Sequence, residues 1–267
     1  MNIDLKCFDL KQIADSGQCF RWKSLSDGTY VIPTKDRVLH VKKEENGFSF
    51  DVDEKEWEQV FAPYFDLDTD YEKLGRVIME SGDEHLKACY GAGAGIRILR
   101  QDLFETIISF LISQNNNIPR IKKSIEAICE YANMPYENDS CFYRFPGPFD
   151  IDPDVFLTEN FGLGYRNTYL REMYLFVRNN PDWLDFLKTL NYEEARAELR
   201  KRLGIGPKVA DCICLFSLHH IDAFPIDTHV KQLLKAYYSE GFPYEKYAGF
   251  LGIVQQYLFF DHLGTGA

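Results

Sequence analysis

The stretch Leu203-Gly204-Ile205-Gly206-Pro207-Lys208-Val209-Ala210-Asp211-Cys212, followed by Pro225-Ile226-Asp227-Thr228-His229, decides how this chain is read. A Gly-x-Gly turn opening directly onto a helix exposes backbone N–H groups at the positive helix end, so Gly204 and Gly206 frame a site for a phosphate. Pro207 suits the first helical turn, where its missing N–H costs nothing. Lys208, two residues into that helix, is poorly placed as a salt-bridge cation and well placed as an amine nucleophile. The helix dipole and partial burial both favour neutral NH2 over ammonium. Asp227 lies 19 positions further on, just ahead of another helix, where its carboxylate can face the same spot.

Working outward, 267 residues with 45% hydrophobic and 15% aromatic content are enough for one large or two modest globular domains. No run of 18 apolar residues is present, so no membrane span is expected. The start, Met1-Asn2-Ile3-Asp4-Leu5-Lys6, lacks a basic segment ahead of an apolar one, so no signal peptide is expected. Seven scattered cysteines without an export signal fit reduced thiols in an intracellular protein. No His/Cys cluster has metal-ligand spacing, so no catalytic metal is expected. The Asp66-x-Asp68-x-Asp70 run lacks the glycine and glutamate of a calcium loop; Tyr71 and Val77 stand there instead.

The first hundred residues read as β-rich. Cys19–Lys23, Tyr30–Ile32, Arg37–Val41 and Phe48–Val52 are short alternating or β-branched runs, separated by turn signals at Asp27-Gly28 and Asn46-Gly47. A helix is expected near Glu54–Phe61. From Asp102 onward the pattern becomes helical, starting with the capping-type sequence Asp102-Leu103-Phe104-Glu105 and an apolar helix ending near Ser113. Further helices are expected at 120–131, 153–159, 167–179, 192–203, 207–218, 228–238 and 243–260, with Asn191 and Glu194 capping the one that feeds the hairpin. The fold class is α+β: a small antiparallel β-sheet domain (1–95) packed on an all-helical domain (96–267) that carries the hairpin.

The hairpin with its lysine and following aspartate resembles the helix-hairpin-helix DNA glycosylase superfamily. Within it, the lysine points to the bifunctional 8-oxoguanine DNA glycosylase/AP lyases. Four more segments are similar to that family and, with the hairpin, span nearly the whole chain in the family's order. They are Ser16-Gly17-Gln18-Cys19-Phe20-Arg21-Trp22, then Ile96–Asp102 running on to Ser113-Gln114-Asn115-Asn116-Asn117-Ile118-Pro119-Arg120, then Leu163-Gly164-Tyr165-Arg166, and Gln255-Gln256-Tyr257-Leu258-Phe259. Because the last cysteine is Cys214, the four-cysteine iron–sulfur cluster that follows the hairpin in other branches cannot be built. The resemblance implies no cofactor, apart from a structural ion that hairpin carbonyls hold in some members.

The resemblance also distributes roles. 8-Oxoguanine carries a hydrogen at N7 where guanine has an acceptor, so a backbone carbonyl there gains a hydrogen bond from the lesion and meets a lone pair in guanine. That exchange is worth roughly 1–3 kcal/mol. The resemblance gives this carbonyl to Gly17; the plainer reading is a turn glycine with positive φ. Gln255 and Phe259, four apart, share a helix face, so an amide can read the Watson–Crick edge of an extruded purine while the ring stacks on it. Gln256 is the neighbouring candidate, and helix phase decides between them. Cys212, one turn past Lys208, would pack on the other side of the base; alone it reads equally as core. His229 matches a family histidine near the DNA backbone, or is a structural residue at a helix start. Asn115 and Tyr165 can enter and wedge the stack left by base extrusion, and Arg120 and Arg166 can donate to the orphan cytosine. The alternative is that both arginines touch phosphates.

Net charge is −11, which disfavours a DNA partner until it is located. Residues 44–84 hold 14 Asp/Glu and 3 Lys/Arg, whereas 195–235 hold 7 Lys/Arg and 4 Asp/Glu. Local sign matters more than the total, and the acidic segment is expected to be a solvated face turned from DNA. The expected protein is a monomeric base-excision repair enzyme of cytoplasm or nucleoid. It acts on double-stranded DNA containing 8-oxoguanine, preferentially opposite cytosine, by a lysine Schiff base and β-elimination, with no membrane partner. A monofunctional alkylpurine glycosylase would not need Lys208, and a non-catalytic helix-hairpin-helix protein would leave Gly17, Gln255 and Phe259 unexplained.

Overall fold

The computed structural model describes residues 1–264. Five antiparallel strands form one sheet in the spatial order Asn2–Ile3, Gly47–Phe50, Val38–Glu44, Tyr30–Pro33, Lys23–Ser24. The register sets Ile32 opposite Leu39 and Val41 opposite Phe50, so apolar side chains meet across strands, which is where a sheet gains stability. Leu39, Val41, Phe48 and Phe50 close over Trp22, Trp57, Phe61 and Phe65 in a core of their own. The other face is covered too: Val31 and Val38 pack on Tyr136.

Cys19–Trp22, expected as a strand, is irregular. Its polar groups are drawn to the helices instead of to a neighbouring strand. Arg21 pairs with Glu105 at 2.9 Å, with both side chains largely buried, and donates to the Tyr143 carbonyl.

The Leu103–Ser113 helix starts as expected, with the Asp102 carboxylate accepting the Glu105 N–H. All its residues except Glu105 and Ser113 are buried, as befits a helix apolar all round. The Ile118–Ala132, Arg166–Asn179 and Pro207–Phe216 helices pack around it. Asn191 and Glu194 form a reciprocal capping box at the start of Tyr192–Leu199. Tyr71–Met79, Glu84–Gly93 and Trp183–Thr189 are helices that the sequence reading does not contain. Leu74, Ile78, Leu86 and Cys89 join the helical core, and Glu84–Gly93 lies along Leu251–Gly264. The first hundred residues are thus divided between both cores. Among the described residues no helix is long and apolar enough to cross a membrane.

The acidic segment is not simply a solvated face. Asp53, Asp70 and Asp83 are helix N-caps, and Asp66 is fully buried. Its carboxylate accepts from Tyr71 Oη and Thr69 Oγ1, both at 2.8 Å, and from Arg100 at 2.9 Å, with His219 Nε2 at 3.0 Å. Burial alone would raise this carboxyl, but His219, Tyr71 and Thr69 outweigh it and hold the group below its ordinary range. A carboxyl with a depressed folded-state pKa stabilises the fold above its unfolded value, and that stabilisation is lost as acid protonates it. Asp66→Asn should therefore lower stability at neutral pH by about 1–3 kcal/mol and flatten the acid limb below about pH 4. Urea unfolding followed from neutral pH downward measures both; parallel curves for parent and variant would contradict the assignment.

Candidate active site

Lys208 extends from the first turn of the Pro207–Phe216 helix. Gly206 is its N-cap and supplies no side-chain partner, so the leading N–H groups are available to a ligand. The turn before it needs Gly204: φ is +83°, and a Cβ there would stand 2.7 Å from the Tyr169 ring. Lys208 Nζ lies 5.3 Å from the centroid of Phe110 and neighbours Cys212. Burial pushes the Cys212 thiol up to about 11, against the charge and hydrogen bond of Lys208, which pull it down. Cys212 is therefore a thiol at neutral pH and offers an apolar wall, not an anion.

Asp227 caps the Thr228–Tyr237 helix, its Oδ1 accepting the Val230 N–H at 2.8 Å. That bond fixes the carboxylate at the end of the connection from the lysine helix. On the opposite side, Gly17 has φ of +77°, and a Cβ would approach the Phe259 ring to 3.1 Å. Its loop is held by the buried Gln18, whose amide donates to Ser16 Oγ and the Arg97 carbonyl and accepts from the Leu99 N–H. Gln101 in turn donates to the Gln18 carbonyl at 2.8 Å.

Gly17, Lys208, Cys212, Asp227, Gln255 and Phe259 all line a single cavity of about 40 Å3. The hairpin motif and the segments near residues 17 and 255 thus converge from far apart in sequence. Phe110, Phe216 and Pro225, which were not anticipated as functional, line it as well, as does Gln256, the neighbouring candidate. For Phe216 a signal existed, since Lys208, Cys212 and Phe216 run at i, i+4, i+8 along one helix stripe. Phe110 and Phe216 stack with centroids 5.5 Å apart. Gln255 and Gln256 are both buried, so helix phase does not separate them. The cavity holds about three waters, which is less than a purine; entry of a base requires Phe259 or the Gly17 loop to give way. A wider cleft of about 310 Å3 borders Arg21, Arg37, Glu56 and Glu105, but these charges already pair with one another, and none of the residues that the sequence marks for chemistry lines it. Chemistry, not size, selects the smaller cavity.

A second group sits outside it. Asn115 holds φ of +46°, with Nδ2 3.4 Å from Tyr165 Oη, and Tyr165 is 53% exposed. Arg120 is exposed on the first turn of Ile118–Ala132, and His229 is exposed on the first turn of Thr228–Tyr237. Arg166 is not the open donor fork that was expected. It is 5% exposed and donates to the carbonyls of Gln114 (2.8 Å), Asn115 (2.9 Å) and Leu163 (3.0 Å). Carbonyls at a helix C-terminus lack partners and a buried guanidinium needs acceptors; each satisfies the other. In this conformation Arg166 braces the loop that carries Asn115.

Two glycines with similar positive φ separate conformational strain from contact. Gly28 (φ +84°) has nothing within 4 Å of a built Cβ, whereas Gly17 meets Phe259. Gly28→Ala should cost about 1 kcal/mol, and Gly17→Ala clearly more in the same urea titration. Equal costs would mean that the Phe259 ring does not press on this loop.

Residues 1–107 match the family model described as 8-oxoguanine DNA glycosylase, N-terminal domain. The fold matches the crystal structure of Clostridium acetobutylicum 8-oxoguanine glycosylase/lyase in complex with double-stranded DNA containing cytosine opposite 8-oxoguanine. The TM-score is 0.88 and the identity 36%, over 98% of this chain and 94% of that one. An N-glycosylase/DNA lyase of Saccharomyces cerevisiae is 36% identical over 159 residues, 54% of this chain and 42% of that protein. An Arabidopsis thaliana N-glycosylase/DNA lyase is 38% identical over 152 residues, 54% of this chain and 41% of that protein. The matched stretches thus span less than half of these two curated relatives. With identity sustained over nearly the full length of a solved glycosylase/lyase, this chain belongs to the 8-oxoguanine DNA glycosylase family.

Proposed function

We propose that the protein excises 8-oxoguanine from duplex DNA and cleaves the strand through a lysine imine. The observation that carries this reading is the meeting of Lys208 and Asp227 with Gly17, Cys212, Gln255 and Phe259 on one cavity. The name of the clostridial relative, a glycosylase/lyase bound to such DNA, supports the same substrate.

Backbone N–H groups of Gly204, Gly206 and Lys208 take a phosphate at the helix N-terminus. The extruded base enters between Phe259 and Cys212, with Gln255 at its Watson–Crick edge and the Gly17 carbonyl at N7–H. The Lys208 amine, with its lone pair free, attacks C1′ as the C1′–N9 bond breaks. The bond's electron pair leaves with the base, which takes up a proton, and the amine gives one up. Asp227 stabilises the positive charge that develops on the sugar. Ring opening yields the imine; loss of a C2′ proton then expels the 3′ phosphate and nicks the strand. Every step uses side chains of the chain itself, and the reading calls for no cofactor. It places the protein as a monomer acting wherever the cell's DNA lies.

Borohydride reduction with an 8-oxoguanine duplex tests the chemistry. The parent should be trapped covalently on DNA. Lys208→Gln should still bind lesion DNA yet lose trapping and cleavage, because an amide forms no imine. Asp227→Asn should bind and excise slowly, since charge stabilisation is typically worth about 100-fold or more. Base release by the parent without trapping would make it monofunctional; binding alone would make it a non-catalytic module.

Opposite-base choice rests on Asn115, Tyr165 and Arg120, with Arg166 bracing the loop. Arginine donors suit the O2 and N3 acceptors of an orphan cytosine and oppose the amine of adenine. Single-turnover excision should be faster opposite cytosine than opposite adenine, and Arg120→Ala should shrink that ratio more than it weakens DNA binding. Equal parent rates opposite both bases would remove this part of the proposal and leave the imine chemistry standing.

A further inference from the structure

Two adjacent glutamines, each 3% exposed, stand on the last described helix at the cavity wall. Gln256 Nε2 donates to Gln255 Oε1 at 3.0 Å, and Gln255 Nε2 donates to the Pro225 carbonyl at 3.1 Å. The direction of this chain follows from its end. A backbone carbonyl only accepts, so the nitrogen of Gln255 must face Pro225. Its oxygen then faces Gln256, where only a donor can meet it. Reversing the Gln255 amide would set oxygen against the Pro225 oxygen and nitrogen against the Gln256 nitrogen, two repulsions in a buried site. Gln256 Oε1, left at the far end, is buried and has no hydrogen-bond partner among the described residues. A buried polar group held without full satisfaction points to a task other than packing.

An unrestrained amide can turn over and present its donor and acceptor in either order. One order suits a purine edge with an acceptor at C6 and N1–H; the other suits a 6-amino donor and a bare N1. We propose that Gln256 is a positioning residue for base selection: together with the Pro225 carbonyl, it holds the Gln255 amide in the order that fits the guanine-type edge, so the cavity disfavours the adenine-type edge. This rests on Gln255 being the base reader in the function proposed above. Substrate discrimination, rather than turnover in general, is therefore what Gln256 controls.

The test compares single-turnover excision of 8-oxoguanine and 8-oxoadenine, both opposite cytosine. The two lesions share the 8-oxo group and N7–H but carry reversed Watson–Crick edges. Rates are normalised to cleavage of an abasic duplex by the same preparation, which reads folding and the lysine chemistry without any base. The parent should favour 8-oxoguanine by about tenfold or more, the effect of one hydrogen bond made or opposed. Gln256→Leu, which keeps the bulk and removes the donor, should narrow the ratio. Gln256→Glu, which sets an acceptor against Gln255 Oε1 and so offsets the hold of the Pro225 carbonyl on the amide, should narrow it further. Equal parent rates on the two lesions would overturn the lock without any variant. An unchanged ratio in both variants, with abasic cleavage intact, would overturn the role of Gln256 alone. A parent inert on 8-oxoguanine would instead remove the function on which the inference rests.

Discussion

The site is arranged around Lys208, which it sets apart from ion-pair partners. Among the described residues no carboxylate stands within ion-pair distance of it; its neighbours are the Phe110 ring and the Cys212 thiol. Asp227 shares the cavity, yet its Oδ1 is engaged by the Val230 N–H. A carboxylate tied to its own helix cannot swing across and collapse into a salt bridge. The two groups thus line one cavity without an ion pair between them among the described residues. The rest of the hairpin serves this separation: Gly204 lets the turn close on Tyr169, and the Pro207–Phe216 helix is locked against Leu103–Ser113.

The opposite wall depends on amides and guanidinium groups. Gly17 reaches the Phe259 ring only because Gln18, almost fully buried, ties its loop to Arg97 and Leu99. Arg21 does the same between this loop and Glu105, and Arg97 gathers the carbonyls of Phe65, Asp66 and Lys6. Buried polar groups of this kind are costly unless fully satisfied, and satisfied ones specify a single arrangement. They tie the loop that carries Gly17 to the sheet and helices, and so set it against the largely apolar lining of the cavity it shares with Lys208.

This explains which features could be read from the chain. Local chemistry was legible: the Asp102 and Asn191 caps, the hairpin glycines and the Lys208–Cys212 spacing depend on neighbours in sequence. The Tyr71–Met79 and Glu84–Gly93 helices were not, because glycines (Gly75, Gly91 and Gly93), poor helix formers, interrupt their short apolar stripes. The part played by Arg166 was out of reach for a different reason. Its acceptors lie about fifty residues away at the end of another helix, and no local pattern reports that a guanidinium will be buried there. Pairing Gln255 with Gln256 likewise needed the Pro225 carbonyl, thirty residues upstream.

A net charge of −11 argues against a DNA partner only if the negative groups are free to face it. Several are not. Asp53, Asp70 and Asp83 spend their charge on helix N-termini, and Asp66 is enclosed by Tyr71, Thr69, Arg100 and His219. The stretch around the hairpin carries the opposite excess, and the open N–H groups at Gly206 add the positive end of a helix dipole. Phosphate attraction falls off within about 8–10 Å at physiological salt, so the sign close to a bound phosphate counts for more than the sum over the chain. An acidic protein with this arrangement can hold a polyanion without a basic surface overall.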